Sequence, residues 1–205
     1  NGDKKNDTVS FDVKIPVPDQ QKTGNKLISW NVDIVDSDNN VVKSFNGTEN
    51  PPTSIIYDGL TNNESIAKEG SYQARVVAKY LNGFETVPIY SPVFMLDTSV
   101  PTAKVTIKDT TFSPDGDGNL DILLINQQTI VDSGSPIEKW EGIITDSTGL
   151  VIKSFDFGAF PPENITWNGV NSLNTLAKDG KYNYTLKATD AAGNAANISA
   201  PLFAL

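Results

Sequence analysis

Val41-Val42-Lys43-Ser44-Phe45 recurs as Val151-Ile152-Lys153-Ser154-Phe155, 110 residues further along the chain. At the same offset Trp30 meets Trp140, Asp36-Ser37 meets Asp146-Ser147, and Pro51-Pro52 meets Pro161-Pro162. Gly59, Ala67-Lys68, Gly70 and Tyr72 likewise meet Gly169, Ala177-Lys178, Gly180 and Tyr182. From residue 27 to residue 80 no gap is needed, and 17 of those 54 positions are identical. A match of that density marks an internal duplication, so the folding unit is about half the chain long.

The correspondence extends outward in both directions. Ser91-Pro92-Val93-Phe94 mirrors Ala200-Pro201-Leu202-Phe203 at an offset of 109, and Asn1-Gly2-Asp3 with Asp7 mirrors Asp115-Gly116-Asp117 with Asp121 at an offset of 114. The units are expected at residues 1–97 and 98–205, joined through the connector 97–101. The first copy begins partway through a motif that is intact in the second, and Leu205 is the equivalent of Leu96. Both ends are therefore expected to be interior points of a longer array of such modules, with neighbouring modules as the first partners. On the same count the first copy lacks its first strand, leaving an edge open or borrowed.

Short β-rich runs alternate with turn signals, and no long stretch shows a helical period. In the second copy the expected strands are 104–108, 121–126, 137–146, 150–155, 164–168, 181–189 and 197–203. Seven short strands in about 100 residues is the count of an immunoglobulin-like or fibronectin-III-like β-sandwich. The fold class is thus all-β, two tandem sandwiches. Gly149, Asn168-Gly169, Asp179-Gly180, Gly193-Asn194 and, in the first copy, Asn82-Gly83 punctuate the runs. Trp30 and Trp140 fall on the third strand, where such domains place a core tryptophan. Tyr72 and Tyr182 open the sixth strand, the place of a tyrosine corner. All four are expected in the core rather than on a sugar-stacking platform.

Composition removes whole classes of chemistry. There is no Cys and no His, so a thiol nucleophile, a Ser-His-Asp triad, a disulfide framework and the usual zinc site are excluded. A net charge of −9 argues against a nucleic acid partner. No apolar run approaches the 18 or so residues of a membrane span. Hydrophobic content of 38% with 20% charge is that of a folded domain.

One loop stands out. Asp115, Asp117, Asn119 and Asp121 alternate with Gly116 and Gly118. Oxygen side chains at alternate positions of a tight loop suit calcium, which takes six to eight hard ligands. Leu120 and Asn126 occupy the places of the essential Gly and Glu of an EF-hand, so it is not one. Pro114-Asp115-Gly116-Asp117-Gly118-Asn119 is equally what a solvated turn requires, and both readings stand. In the first copy Lys5 replaces the counterpart of Asn119, which favours a bare turn. The loop is expected at the end of the sandwich where the last strand exits, facing a following module. Glycoside hydrolysis needs an acid pair such as Asp115 and Asp117, but these sit in a glycine turn instead of a concave pocket, so no enzyme is expected.

Ile165-Thr166-Trp167-Asn168-Gly169 followed by Ala177-Lys178-Asp179-Gly180-Lys181-Tyr182-Asn183-Tyr184 resembles the Ig-like domain of the flagellar hook-capping protein FlgD. The first copy carries a looser version, with Tyr57 for Trp167. Phe112-Ser113-Pro114-Asp115-Gly116-Asp117-Gly118-Asn119-Leu120-Asp121 is similar to a segment of gliding-motility-associated C-terminal domains. The resemblance implies an extracellular or cell-surface bacterial protein and repeat modules that space, display or anchor other domains. An adhesin-type module that recognises a glycan or host protein through its loops is the alternative. An exposed aromatic cluster, or a loop that differs sharply between copies, would favour that alternative; the segment 127–134 is one such loop.

Overall fold

The computed structural model describes residues 6–15, 25–130 and 134–205. The first copy's acidic segment, Asn1 to Lys5, lies outside them, as do residues 131–133 of the 127–134 segment. The chain divides into two compact units, Asn1–Thr98 and Ser99–Leu205. The division falls one residue later than the sequence boundary. Thr98 is tied to the first unit, because its N–H and its Oγ1 both donate to Glu69 Oε1, at 2.9 and 2.6 Å.

The second unit is a sandwich of two antiparallel sheets. Its strands are β8 (Thr102–Ile107), β9 (Leu123–Ile130), β10 (Ile137–Asp146), β11 (Val151–Gly158), β12 (Asn164–Trp167), β13 (Lys181–Asp190), β14 (Ala195–Ser199) and β15 (Phe203–Ala204). One sheet runs β12-β9-β8; the other runs β11-β10-β13-β14, with β15 also on β13. The single expected strand 197–203 is two strands. Pro201, which lacks an N–H, falls in the break between them. Inward positions alternate: Leu123, Ile125 and Gln127 of β9 are buried while their neighbours face out. The sheets enclose one continuous core that includes Val105, Ile107, Ile125, Trp167, Tyr184 and Leu186.

Among the described residues the first unit repeats this plan with one strand fewer. It has β1 (Val9–Asp12), β2 (Leu27–Asp36), β3 (Val41–Gly47), β4 (Ser54–Tyr57), β5 (Gly70–Tyr80), β6 (Ile89–Tyr90) and β7 (Phe94–Leu96). Registers correspond pair by pair: Phe11 faces Ile55 as Ile125 faces Ile165, and Val76 faces Ile89 as Leu186 faces Ile198. Among the described residues β1 pairs only with β4, whereas β9 has β8 on its other side.

One turn design serves six times among the described residues. Residues 36–40, 61–65, 80–84, 146–150, 171–175 and 190–194 each close with an N–H of the first residue bonded to the carbonyl of the fifth. The fourth residue is always left-handed: Asn39, Glu64, Gly83, Gly149, Asn174 and Gly193. This is a three-residue hairpin connection ending in a bulge. Four of the six carry an acid or amide at the first position, and its side chain caps the turn. Asp146 Oδ1 accepts from the Thr148 and Leu150 N–H groups and from Thr148 Oγ1. The Thr148 hydroxyl and those amides hold the Asp146 carboxyl below the usual carboxylate range. Asp36, Asn171 and Asp190 do the same work at their turns. Asp36, Asp146 and Asp190 are thus held by turn chemistry.

Candidate functional site

Asp115 to Asp121 lies between β8 and β9, and its geometry is set by backbone conformation. Gly116, Gly118 and Leu120 have φ of 84°, 87° and 56°. Three left-handed residues in alternation curl the loop so that the side chains between them converge. Carboxylate oxygens of Asp115, Asp117 and Asp121 come within 4.8 Å of one another. Asp121 anchors the loop: its two oxygens accept from the Gly116 and Gly118 N–H groups at 2.7 and 2.8 Å. Asp115 Oδ1 accepts from the Asp117 N–H, and Asp117 Oδ1 from the Asn119 N–H. Asn119 is exposed and joins the loop through its backbone. Asp121 is half-buried; the other two acids are exposed.

The loop sits beside the last strand of its own unit, as the sequence implied. Thr111 bridges to Ala204, Phe112 N–H donates to Ala204 O, and Ala204 N–H donates to Thr110 O. Phe112 anchors it from below, fully buried against Trp167 and Phe203. In the first unit Asn6 has φ 54°, matching Leu120 at the 114-residue offset, so the exit half of the same loop is present there.

Three of the four expected core aromatics are buried. Trp140 packs opposite Gly158, while Tyr72 and Tyr182 donate their hydroxyls to the carbonyls of Lys68, at 2.6 Å, and Lys178. Each reaches four residues back, the geometry of a tyrosine corner. Tyr182 also meets the edge of Trp167 at 5.3 Å, so the Trp167-Asn168-Gly169 and Asp179-Gly180-Lys181-Tyr182 segments are joined through their rings. Trp30 departs from the expectation. It is half-buried and packs against both buried clusters found among the first unit's described residues, whereas Trp140 belongs to one continuous cluster. Tyr57, standing where Trp167 stands, has a buried hydroxyl without a partner among the described residues, and burial pushes its pKa up to about 12.

Two polar features were not foreseen from sequence. In the first unit Arg75 donates to Asp33 Oδ2 at 2.7 Å and Ser44 to Oδ1 at 2.7 Å, in a cross-strand pair. Burial raises the Asp33 pKa, yet these bonds and the Arg75 charge outweigh it and leave the carboxyl below its ordinary value. In the second unit the buried Tyr184 hydroxyl donates to Gln127 Oε1, and Gln127 Nε2 donates to Pro162 O, both at 2.7 Å. The second unit also carries an apolar cleft of about 430 Å³, lined in part by Pro101, Ile130, Pro136, Trp140 and Phe160. Phe160 is 90% exposed; the first copy has Asn50 in its place.

No protein-family model matches the chain, and no curated protein matches it. Solved structures similar to it include a tetra-tandem repeat from the extending region of a large adhesion protein, at 20% identity and TM-score 0.35, covering 86% of this chain. The match spans only 41% of that structure's length. A two-domain fibronectin type III segment of chicken tenascin gives 11% identity and TM-score 0.39 over 97% of this chain and 92% of that one. Fibronectin(III)-like modules of Clostridium thermocellum CbhA give 17% and 0.39 over 96% and 84%. These likenesses are loose and say nothing of what this chain binds.

Proposed function

We propose that the chain is a pair of structural modules from a larger surface or secreted bacterial protein, spacing or anchoring other domains, and that it has no catalytic role. The observation that supports this is the work of six aspartates. Asp36, Asp146, Asp190, Asp115, Asp117 and Asp121 all accept backbone N–H bonds that hold turns, which is the work of a scaffold. The kinship with FlgD-type Ig-like domains belongs to the same reading, through the Trp167–Tyr182 contact. We include calcium at Asp115, Asp117 and Asp121, with Asn119 as a further oxygen donor. The convergent hard oxygens fit that ion, and waters or a following module would complete its shell.

A second reading has its own support. The Phe160 cleft is an exposed aromatic feature absent from the first copy, which is what a loop-borne binding site for a glycan or host protein would show. The test is a panel of glycans and extracellular-matrix proteins presented to the chain and to Phe160→Ala. Spacing modules bind none of them. A saturable ligand that Phe160→Ala loses would replace the spacer reading with the adhesin one.

A further inference from the structure

Among its described residues the first unit contains a slot whose equivalent inside the second unit holds β8. In the second unit β8 lies beside β9 and against β14, and its inward Val105 and Ile107 belong to the core with Ile125, Leu186 and Ile198. In the first unit the corresponding space is a groove of about 460 Å³. Its lining includes Phe11, Val13, Ala74, Val76 and Ile89. These are the counterparts of Ile125, Gln127, Tyr184, Leu186 and Ile198. Burial changes accordingly. Ile125 and Leu186 are fully buried where Phe11 and Val76 are half-exposed, and Ile89 is 61% exposed where Ile198 is half-buried.

The rim of the groove carries backbone groups set up for a strand. Val13 N–H donates to Thr53 O, as Gln127 N–H donates to Glu163 O, so both point toward the neighbour already present. Alternation along a strand then turns the N–H and C=O of Asp12 and Lys14 outward. Their counterparts Asn126 and Gln128 pair with Thr106 and Lys104 of β8. An apolar floor beside an edge that carries no strand among the described residues is an acceptor site for an extended peptide.

The geometry points to an extended strand as the occupant, antiparallel to β1 in the register of β8. It carries apolar side chains at the positions of Val105 and Ile107 and polar ones between them, and it is supplied in cis by polypeptide on the N-terminal side of Asn6. The left-handed Asn6 and the following Asp7 argue for this source. They are the exit half of the loop that joins β8 to β9 in the second unit, so the same loop would lead the strand into place. This holds whether the modules space or bind.

A labelled peptide with the sequence of residues 100–108 tests it by fluorescence anisotropy against the whole chain. Saturable one-to-one binding is expected. It should weaken at least tenfold when the peptide carries Val105→Lys and Ile107→Lys. Lys14→Pro in the chain should weaken it as much, since it removes an outward N–H while leaving the bonds to β4 in place; an unchanged melt confirms that the variant folds. A chain with residues 99–114 duplicated directly ahead of Asn1 should exclude the peptide, its own strand having taken the slot. Absence of saturable binding, indifference to the lysine substitutions, or an extended chain that still binds would overturn the proposal. Concentration-dependent dimers of the original chain that Lys14→Pro abolishes would assign the slot to a second copy and overturn the cis source.

Discussion

Gly142→Ala should cost the second unit far more than a methyl group in a strand usually does. A Cβ at Gly142 would fall on the Tyr184 hydroxyl oxygen and 2.9 Å from two of its ring carbons. Tyr184 is fully buried and cannot swing into solvent. Overpacking of this kind costs about 1–3 kcal/mol. Moving the ring also breaks its bond to Gln127, and a buried polar pair left unsatisfied adds about 1–3 kcal/mol. A loss of roughly 2–6 kcal/mol follows from those two terms. The first unit shows the remedy: Val32, Ala74 and Val13 stand where Gly142, Tyr184 and Gln127 stand. Tyr184→Ala alone should cost about 3–5 kcal/mol. The triple change Gly142→Val, Tyr184→Ala, Gln127→Val copies an arrangement that already packs, and should cost under about 1.5 kcal/mol. Urea unfolding followed by tryptophan fluorescence reads this directly, since Trp140 and Trp167 both report on the second unit. A Gly142→Ala penalty below about 0.5 kcal/mol, or single costs that simply add in the triple variant, would refute the coupling.

Tyr182→Phe removes the bond to Lys178 O and should lower the second unit's stability by about 1 kcal/mol, measured by the same unfolding curves. Asp33 has a depressed folded pKa, so its contribution is complete above the unfolded value of 3.8 and is lost as pH falls through the lower folded value. Asp33→Asn should therefore destabilise the first unit at neutral pH and flatten its acid response, checked by thermal melts across pH 2–7. Millimolar calcium should raise the melting midpoint relative to EDTA, and Asp117→Ala should abolish that gain. Asp117 is the informative position, because Asp121→Asn would disturb the Gly116 and Gly118 bonds whether or not an ion is bound. Coincident curves would leave the loop a turn.

The duplication made most of the fold legible, because two copies constrain one another. Trp140 and the corner tyrosines could be placed by position alone, since chemistry and strand count agree there. Turns were readable where Gly closes them, as at Gly83, Gly149 and Gly193, and were missed where Asn39, Glu64 or Asn174 adopts the left-handed conformation. Side-chain caps and neighbours bear that cost, which no local pattern records. In the acidic loop the alternation of Asp and Gly marked Asp115, Asp117 and Asp121, whose oxygens lie together, and with them Asn119, which joins through its backbone. It did not tell that Asp121 is engaged by two amides, a property of the folded curl. The Asp33–Arg75 and Tyr184–Gln127 pairs join residues 42 and 57 positions apart, and their partners are invisible until strand register is known.

The unlike polar hardware of the two cores has a bearing on assembly. Modules that share a strand plan are prone to exchange strands with their neighbours while folding. Were β13 to pair with β2, Tyr184 would press into Val32 and find no Gln127 to receive its hydroxyl, while β5 on β10 would leave a void above Gly142. Each wrong pairing carries a steric or hydrogen-bonding penalty that the right one lacks. The glycine–tyrosine–glutamine set would thus penalise strand exchange between two copies of a common blueprint within one polypeptide.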